Sequence, residues 1–368
     1  MKITILGLSI TSSWGNGHAT TYRALARALH ARGHRIIFFE RDLEWYASNR
    51  DMPEPPFCTV HIYERWDEVI PKVRRELASS DVAIVGSYFP DALAAIDEVF
   101  DSRAGVKAFY DIDTPITIAA LEAGEAEYLK PEQVAGFDIY FSFTGGPMLR
   151  KLERKFGAQK AVPLYCSFDP GNKQFSMPQS RFASDLSYMG TYAADRQPQL
   201  EELFCKPART LQDKKFLIAG PQYPREIEWP SNVRQIIHLE PRFHAPFYCS
   251  SRLTLNLTRQ EMVSAGYSPS VRLFEAAGCG ATIVSDRWPG LETFFTPREE
   301  ILLPDSGQDV VGYLTGMYET EMKAIGWRAQ ERVLLEHSSE RRAIEFEEYV
   351  GGAEASAVNT TAAAETSL

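Results

Sequence analysis

Arg272 and Glu275 stand three residues apart in the run Ser270-Val271-Arg272-Leu273-Phe274-Glu275-Ala276-Ala277-Gly278-Cys279-Gly280. On a helix that begins beside Ser270 they share one face near its amino end. The free N–H groups of such an end carry partial positive charge and suit a phosphate. Arg272 would add a charge-assisted bond to that phosphate, and Glu275 would accept hydrogen bonds from ribose hydroxyls. The same spacing also describes a surface Arg–Glu pair, which is common and weak. Gly278 and Gly280 stop the helix before residues 282–284, which read as a buried strand.

A second set of candidates lies near the amino terminus. Gly15-Asn16-Gly17-His18 follows an apolar run and precedes a helical pattern that starts at Thr20. It is neither G-x-G-x-x-G nor a P-loop, since no Gly-Lys-Ser/Thr follows. Glycines such as Gly17 let the backbone approach a ligand closely. Histidine titrates near neutral pH, so His18 is a candidate base for deprotonating an acceptor hydroxyl. Its other reading is a capping imidazole that bonds backbone or phosphate without moving a proton.

Asp111 and Asp113 form a third set, after the apolar run 106–110. Carboxylates at this spacing in an extended segment point the same way, and their repulsion raises one pKa. Either would serve as a base or hold acceptor hydroxyls. Asp before Thr-Pro is also an ordinary turn signal, and Pro115 is expected to keep a helix from starting at once. Residues 142–147, with two glycines past another strand end, are expected to shape the acceptor side. Trp45, Tyr46 and Arg50 would stack on a ring-like acceptor, unless the aromatics belong to the core; Glu40 and Arg41 read equally as a surface pair.

The elements that must carry these groups alternate. Strand patterns at 2–8, 35–39, 82–85, 106–110, 139–143 and 162–165 are separated by helical patterns at 20–32, 66–78, 90–100 and 147–156. Continuous apolar runs of this length suit a parallel sheet covered on both faces. Residues 170–181 turn to Pro, Gly, Asn, Lys, Gln and Ser, a linker composition. A second series follows, with strands at 186–189, 216–219, 233–237, 253–257, 282–284 and 301–303. Its helices are expected at 198–205, 243–250, 271–277, 291–295, 307–325 and 327–349. The expected fold is α/β, two Rossmann-like domains with a cleft between the carboxyl ends of their strands. Their expected bounds are 1–168 and 182–325, with a helix at 326–350 packing back toward the first domain and a disordered tail at 351–368.

Composition narrows the function classes. Of 368 residues, 44% are hydrophobic and 24% charged, which suits packed globular domains. Lys and Arg number 39 against 49 Asp and Glu, a net charge of −10, which argues against a nucleic-acid partner. Five scattered cysteines without C-x-x-C spacing favour reduced thiols and a cytoplasmic location over disulfides or zinc. The opening apolar run is too short for a signal peptide's pattern, and no run reaches the roughly 18 apolar residues of a membrane span.

The Ser270–Asp286 string resembles the glutamate-bearing donor-site helix of GT-B glycosyltransferases, where E-A-x-x-C-G-x-P-V is frequent; Thr282 stands where many members have proline. Pieces spanning about residues 1–350 resemble the CgeB-like group, related to a spore maturation protein. Ser13-Trp14-Gly15-Asn16-Gly17-His18-Ala19-Thr20, Tyr110-Asp111-Ile112-Asp113-Thr114-Pro115 and Ser142-Phe143-Thr144-Gly145-Gly146-Pro147 carry that likeness in the first half. Leu164-Tyr165-Cys166-Ser167 with Asp169, Gly190-Thr191-Tyr192 and Leu255-Asn256-Leu257-Thr258-Arg259 continue it in order. The resemblance implies transfer of a sugar from a nucleotide-diphosphate-sugar donor to an unknown acceptor, with no bound metal and no other cofactor. It places Glu275 on the donor ribose, Ser270, Arg272 and Arg259 near the diphosphate, Gly190 and Gly220 against the donor, and His238 and Leu239 beside the base. His18, then Asp113, would be the catalytic base, with Asp111 and Gly17 holding substrate. A non-hydrolysing sugar-nucleotide epimerase and a non-catalytic carbohydrate-binding or assembly protein are the alternatives on the same fold.

Overall fold

The computed structural model describes residues 1–15, 17–171 and 176–365, and from residue 354 on only their backbone. The chain forms two compact units, one of residues 1–165 with the segment from Ser339 on, the other of residues 166–338.

In the first unit, seven strands make one parallel sheet. They are β1 (Lys2–Leu6), β2 (Arg35–Arg41), β3 (Thr59–Tyr63), β4 (Val82–Gly86), β5 (Val106–Asp111), β6 (Ile139–Ser142) and β7 (Ala161–Pro163). Their order is β3-β2-β1-β4-β5-β6-β7. The central strands are buried throughout, which is why they read as unbroken apolar runs rather than as alternation. Helices Trp66–Leu77, Ala92–Phe100 and Thr114–Ala123 pack into one core with Leu6, Val85, Phe109 and Tyr140. Helices Gly17–Ala31 and Ser339–Glu365 pack together, and Phe346 stacks on Phe141 of β6 at 5.3 Å. The chain reverses direction across the sheet between β1 and β4, so a crevice opens at their carboxyl ends.

The second unit repeats the plan with β8 (Ser184–Met189), β9 (Phe216–Ala219), β10 (Val233–Ile236), β11 (Ser251–Asn256) and β12 (Ile283–Ser285). All are parallel, in the order β10-β9-β8-β11-β12. Its reversal lies between β8 and β11. Helix Val271–Gly278 fills the connection from β11 to β12.

Several expected elements differ. β3 is an edge strand with one buried residue, Tyr63, so its sequence lacks a core signature. Residues 301–303 form only isolated bridges, Val284 with Leu302 and Pro297 with Ile301. Gly326 does not divide two helices: helix Glu319–Glu336 runs through it, because a Cβ there would lie 2.3 Å from the Gly280 carbonyl oxygen. Glycine is what lets this helix lie against the turn after helix Val271–Gly278. The real breaks come at Met317-Tyr318 and His337-Ser338, and helix Ser339–Glu365 belongs to the first unit. That helix also continues through the residues expected to be a disordered tail. Alanine-rich sequence extends an existing helix easily, although it would not nucleate one. Residues 366–368 of that tail, and residues 172–175 of the expected linker, lie outside the described residues. Among the described residues, no helix is long and apolar enough to cross a membrane.

Candidate functional site

Polar groups converge at the carboxyl end of each sheet. In the first unit the loop after β1 is tied down from several sides. Glu40, near the end of β2, is fully buried rather than part of a surface pair with Arg41. It accepts hydrogen bonds from Ser9 Oγ (2.9 Å), the Ile10 and Thr11 amides (2.7 and 3.0 Å) and Thr11 Oγ1 (2.5 Å). A carboxylate tolerates such burial only when donors surround it. Arg23 donates to the Ile10 carbonyl at 2.7 Å and, through both terminal nitrogens, to Asp51 at 2.8 Å. Burial alone would raise the Asp51 carboxyl, but Arg23 and Ser13 hold it well below the usual range. Arg50 is used up by Thr11 and Asp42 at 3.1 and 2.5 Å, so it belongs to this scaffold; Trp45 is 60% exposed.

That scaffold delivers His18. The helix starts at Gly17, three residues earlier than its apolar pattern, so His18 occupies the first turn. No protein atom crowds Gly17, and Asn16 lies outside the described residues. His18 Nε2 is 3.9 Å from Asp113 Oδ2, beyond a direct hydrogen bond and within ion-pair reach. The two residues chosen as candidate bases from distant parts of the sequence therefore meet. The His18 ring also stands edge-on to Tyr88, centroids 5.4 Å apart. Tyr88 follows β4 with φ 59°, a left-handed conformation that costs a bulky residue about 1–3 kcal/mol.

Asp113 immediately precedes helix Thr114–Ala123, which Pro115 does not delay. Proline suits a first helical turn, where its missing N–H would have had no intrahelical partner. Asp111 differs from Asp113 in kind. It is fully buried, and its carboxylate accepts from Tyr140 at 2.6 Å, Thr117 at 2.8 Å and the Asp113 amide at 3.2 Å. Burial raises it to about 6, with the charge of Asp113 a lesser contribution. Asp111 thus braces the wall behind Asp113 and offers no surface to a substrate. Ser142 and Thr144 are likewise buried, with Ser142 Oγ donating to the Thr144 carbonyl at 2.7 Å.

In the second unit, Gly190 follows β8 and Gly220 follows β9. A Cβ on Gly220 would fall 1.9 Å from the Gly190 carbonyl oxygen, and one on Gly190 would fall 2.9 Å from an Arg272 nitrogen. Gly220 is therefore required by close approach of backbone at φ 154°, and Gly190 lies against the ends of the Arg272 and Tyr188 side chains. Arg272 packs over the Tyr188 ring at 5.3 Å and donates to Asn256 Oδ1 (3.2 Å) and the Leu257 carbonyl (3.3 Å). Ser270, which precedes the helix, donates to the same Asn256 oxygen at 2.8 Å. Thr258 and Asp286 complete this end of the sheet through bonds of 3.0 Å each.

Arg196 joins Arg272 there. Burial, with the Arg272 charge acting the same way, lowers the Arg196 guanidinium from its ordinary value. One of its terminal nitrogens bonds the Thr191 carbonyl at 2.6 Å, whereas its Nε is buried with no hydrogen-bond partner. The buried Tyr248 hydroxyl also lacks a partner, and it feels the Arg272 charge. Arg196 thus holds the Thr191 carbonyl one residue past Gly190, against which an Arg272 nitrogen lies, and donors gathered there would suit an anion. Glu275 lies one turn along, 7% exposed, with an oxygen 3.8 Å from His244 Nδ1. His238, exposed, and Leu239 follow β10 at the edge of the same sheet end. Arg259, just past the end of β11, has a half-exposed side chain that faces Glu261 at 3.8 Å.

Sequence reading brought Arg272, Ser270, Gly190 and Gly220 to one place and missed Arg196, Tyr88 and Tyr248. Arg196 carried one usable signal, being the first cation after the glycine that ends β8. Among the described residues no group of three or more His, Cys, Asp or Glu side chains is arranged to hold a metal ion.

Residues 196–348 match a family model described as glycosyl transferase-like, a span that holds Arg196, Arg272 and Glu275. A comparison with curated protein sequences gave no match. Among solved structures, the chain is similar to sucrose-phosphate synthase from Thermosynechococcus elongatus, with TM-score 0.66 and 13% identity over 97% of this chain and 100% of that one. It is similar also to Anabaena HepE in complex with UDP and glucose, TM-score 0.68 and 11% identity over 96% of this chain and 100% of that one. An alpha-glucosyltransferase in complex with UDP-glucose and DNA containing an abasic site gives TM-score 0.66 and 11% identity over 95% and 99%. The fold of the chain is that of the GT-B proteins, in keeping with its two doubly wound sheets.

Proposed function

We propose that the protein is a glycosyltransferase that takes a sugar from a nucleoside-diphosphate donor bound by the second unit. The observation that carries this reading is that Arg272 and Arg196 both reach the loop after β8, at the β8–β11 reversal, where the buried Arg196 Nε has no hydrogen-bond partner. When the bond between the anomeric carbon and the diphosphate breaks, negative charge grows on the leaving phosphate. Two preorganised guanidinium groups and the amino end of helix Val271–Gly278 stabilise that charge. Glu275 takes the ribose hydroxyls. In the first unit, His18 removes the proton of the acceptor hydroxyl, whose oxygen bonds to the anomeric carbon, and Asp113 at 3.9 Å stabilises the imidazolium that forms.

The family match over 196–348 and the UDP complexes of structurally similar proteins make a UDP-sugar the first donor to try. CgeB-like membership, hexosyl transfer without a metal, a cytoplasmic location and the lack of a nucleic-acid partner belong to the same proposal. They rest on the ordered motifs, the scattered cysteines without C-x-x-C spacing and the net charge of −10. A thermal-shift screen with uridine, guanosine, adenosine and thymidine diphosphates tests the donor site, with one nucleotide expected to raise Tm clearly. Silence across all four would sink it. Incubation with the matching sugar nucleotide and no acceptor should give slow hydrolysis; an epimerised donor would show the alternative enzyme instead.

A further inference from the structure

Tyr88 lies at the β1–β4 reversal, and its edge-on contact with the His18 ring puts it beside the candidate base. Its neighbour is Tyr128, centroids 4.7 Å apart and planes inclined by 47°. Tyr128 is not free to swing. The single Thr117 hydroxyl proton goes to Asp111 at 2.8 Å, so Thr117 accepts from the Tyr128 hydroxyl at 2.7 Å. A buried carboxylate and a threonine thus fix one ring, and that ring fixes the next. Both tyrosines are half-buried rather than core residues. Glycine would relieve the strained backbone at position 88, yet tyrosine occupies it. Strain kept at the mouth of a sheet crevice points to a demand for this ring in this place.

Resting on the acceptor role assigned to the first unit, we propose that Tyr88 and Tyr128 are the specificity wall of the acceptor site. The accepting hydroxyl is then carried by a pyranose ring. A pyranose offers an apolar C–H face, which packs against aromatic rings, and a rim of hydroxyls that need several polar partners. The two tyrosine rings meet the first need; His18, the Asp113 carboxylate and the phenol groups meet the second. An open-chain alcohol has no rigid apolar face to set against fixed rings. A phenol has a single hydroxyl, which engages His18 and leaves Asp113 no second hydroxyl to bind.

Saturation-transfer NMR on the full chain tests this without a donor, using methyl glucopyranoside, sorbitol and nitrophenol as probes. The pyranoside should give the strongest contact through its ring C–H protons, and Y88A or Y128A should weaken it roughly tenfold. Tyr88→Gly controls for folding: it accepts the left-handed backbone without strain, so it should melt no lower than the parent and still lose the contact. In turnover assays that follow nucleotide release, Y128F should raise the acceptor KM more than it lowers kcat, as expected for a ring that has lost its anchor. Pyranoside contact unchanged in Tyr88→Gly, or a preference for sorbitol or nitrophenol, would overturn the proposal. Nucleotide binding with no pyranoside contact would overturn it alone. Pyranoside contact without any nucleotide binding would overturn the transferase reading, and with it the acceptor role, and leave only a pyranose-binding wall.

Discussion

At the scale of single residues, charge matters less than what surrounds it. Arg259 and Arg272 are both arginines near the end of β11, yet one faces a glutamate in solvent and the other packs over Tyr188 beside Gly190. Arg196, hidden in a polar stretch of sequence, is half-buried and bonds the Thr191 carbonyl beside Gly190. A charge-assisted hydrogen bond to a phosphate is worth about 1.5–3 kcal/mol, so Arg272→Ala and Arg196→Ala should each weaken nucleotide binding by roughly ten- to a hundredfold. Arg259→Ala should change it by less than about threefold, since an exposed pair contributes about 0–1 kcal/mol. Isothermal titration of the three variants checks the ranking, and equal losses would show that Arg259 also reaches the diphosphate.

At the scale of elements, helix Ser339–Glu365 is fastened to the first unit by a small charged cluster. Glu347 receives Arg32 through two bonds of 2.7 and 2.5 Å, and His34 Nε2 lies 2.6 Å away with its Nδ1 on the amino-terminal nitrogen. Hydrogen bonding from Arg32, then from His34, lowers the Glu347 carboxyl to about 2. Its folded-state value lies below the unfolded value of about 4.3, so the stabilisation is complete above that pH and is lost as pH falls toward about 2. Most of the cluster meets solvent, so the effect is modest and screened by salt. Glu347→Gln should lower Tm by a few degrees at neutral pH and flatten the acid limb of the stability curve. Urea unfolding across that acid window measures it, and an unchanged acid limb would mean that other carboxylates govern it.

At the scale of the molecule, the proposed donor and acceptor groups are divided between the two units: Arg196, Arg272 and Glu275 in one, His18, Asp113 and Tyr88 in the other. A bound nucleoside diphosphate should therefore slow amide exchange at the segment after β8, at Asn256–Thr258 and at the start of helix Val271–Gly278, with the loop after β1 little affected. Hydrogen exchange with and without UDP reads this directly. Protection centred on residues 9–18 would reverse the assignment of donor and acceptor units.

Periodicity determined much of this protein before any contact was known. Buried parallel strands need apolar residues on both faces, so β1, β4, β5, β8, β9 and β11 were visible as runs, and the alternation with helices implied two doubly wound sheets. The glycines ending β8 and β9 and the Arg272–Glu275 spacing were local, and were legible for that reason. What a residue meets across the fold was not. Edge strand β3 buries too little to leave a pattern, and Gly326 looks like a break until the Gly280 carbonyl is seen against it. Asp111 and Asp113 are two residues apart and equal in sequence; only the sheet and its covering helix send one into a cage of Tyr140 and Thr117 and the other toward His18. Burial and partnership are properties of segments distant along the chain, and tertiary packing alone decides them.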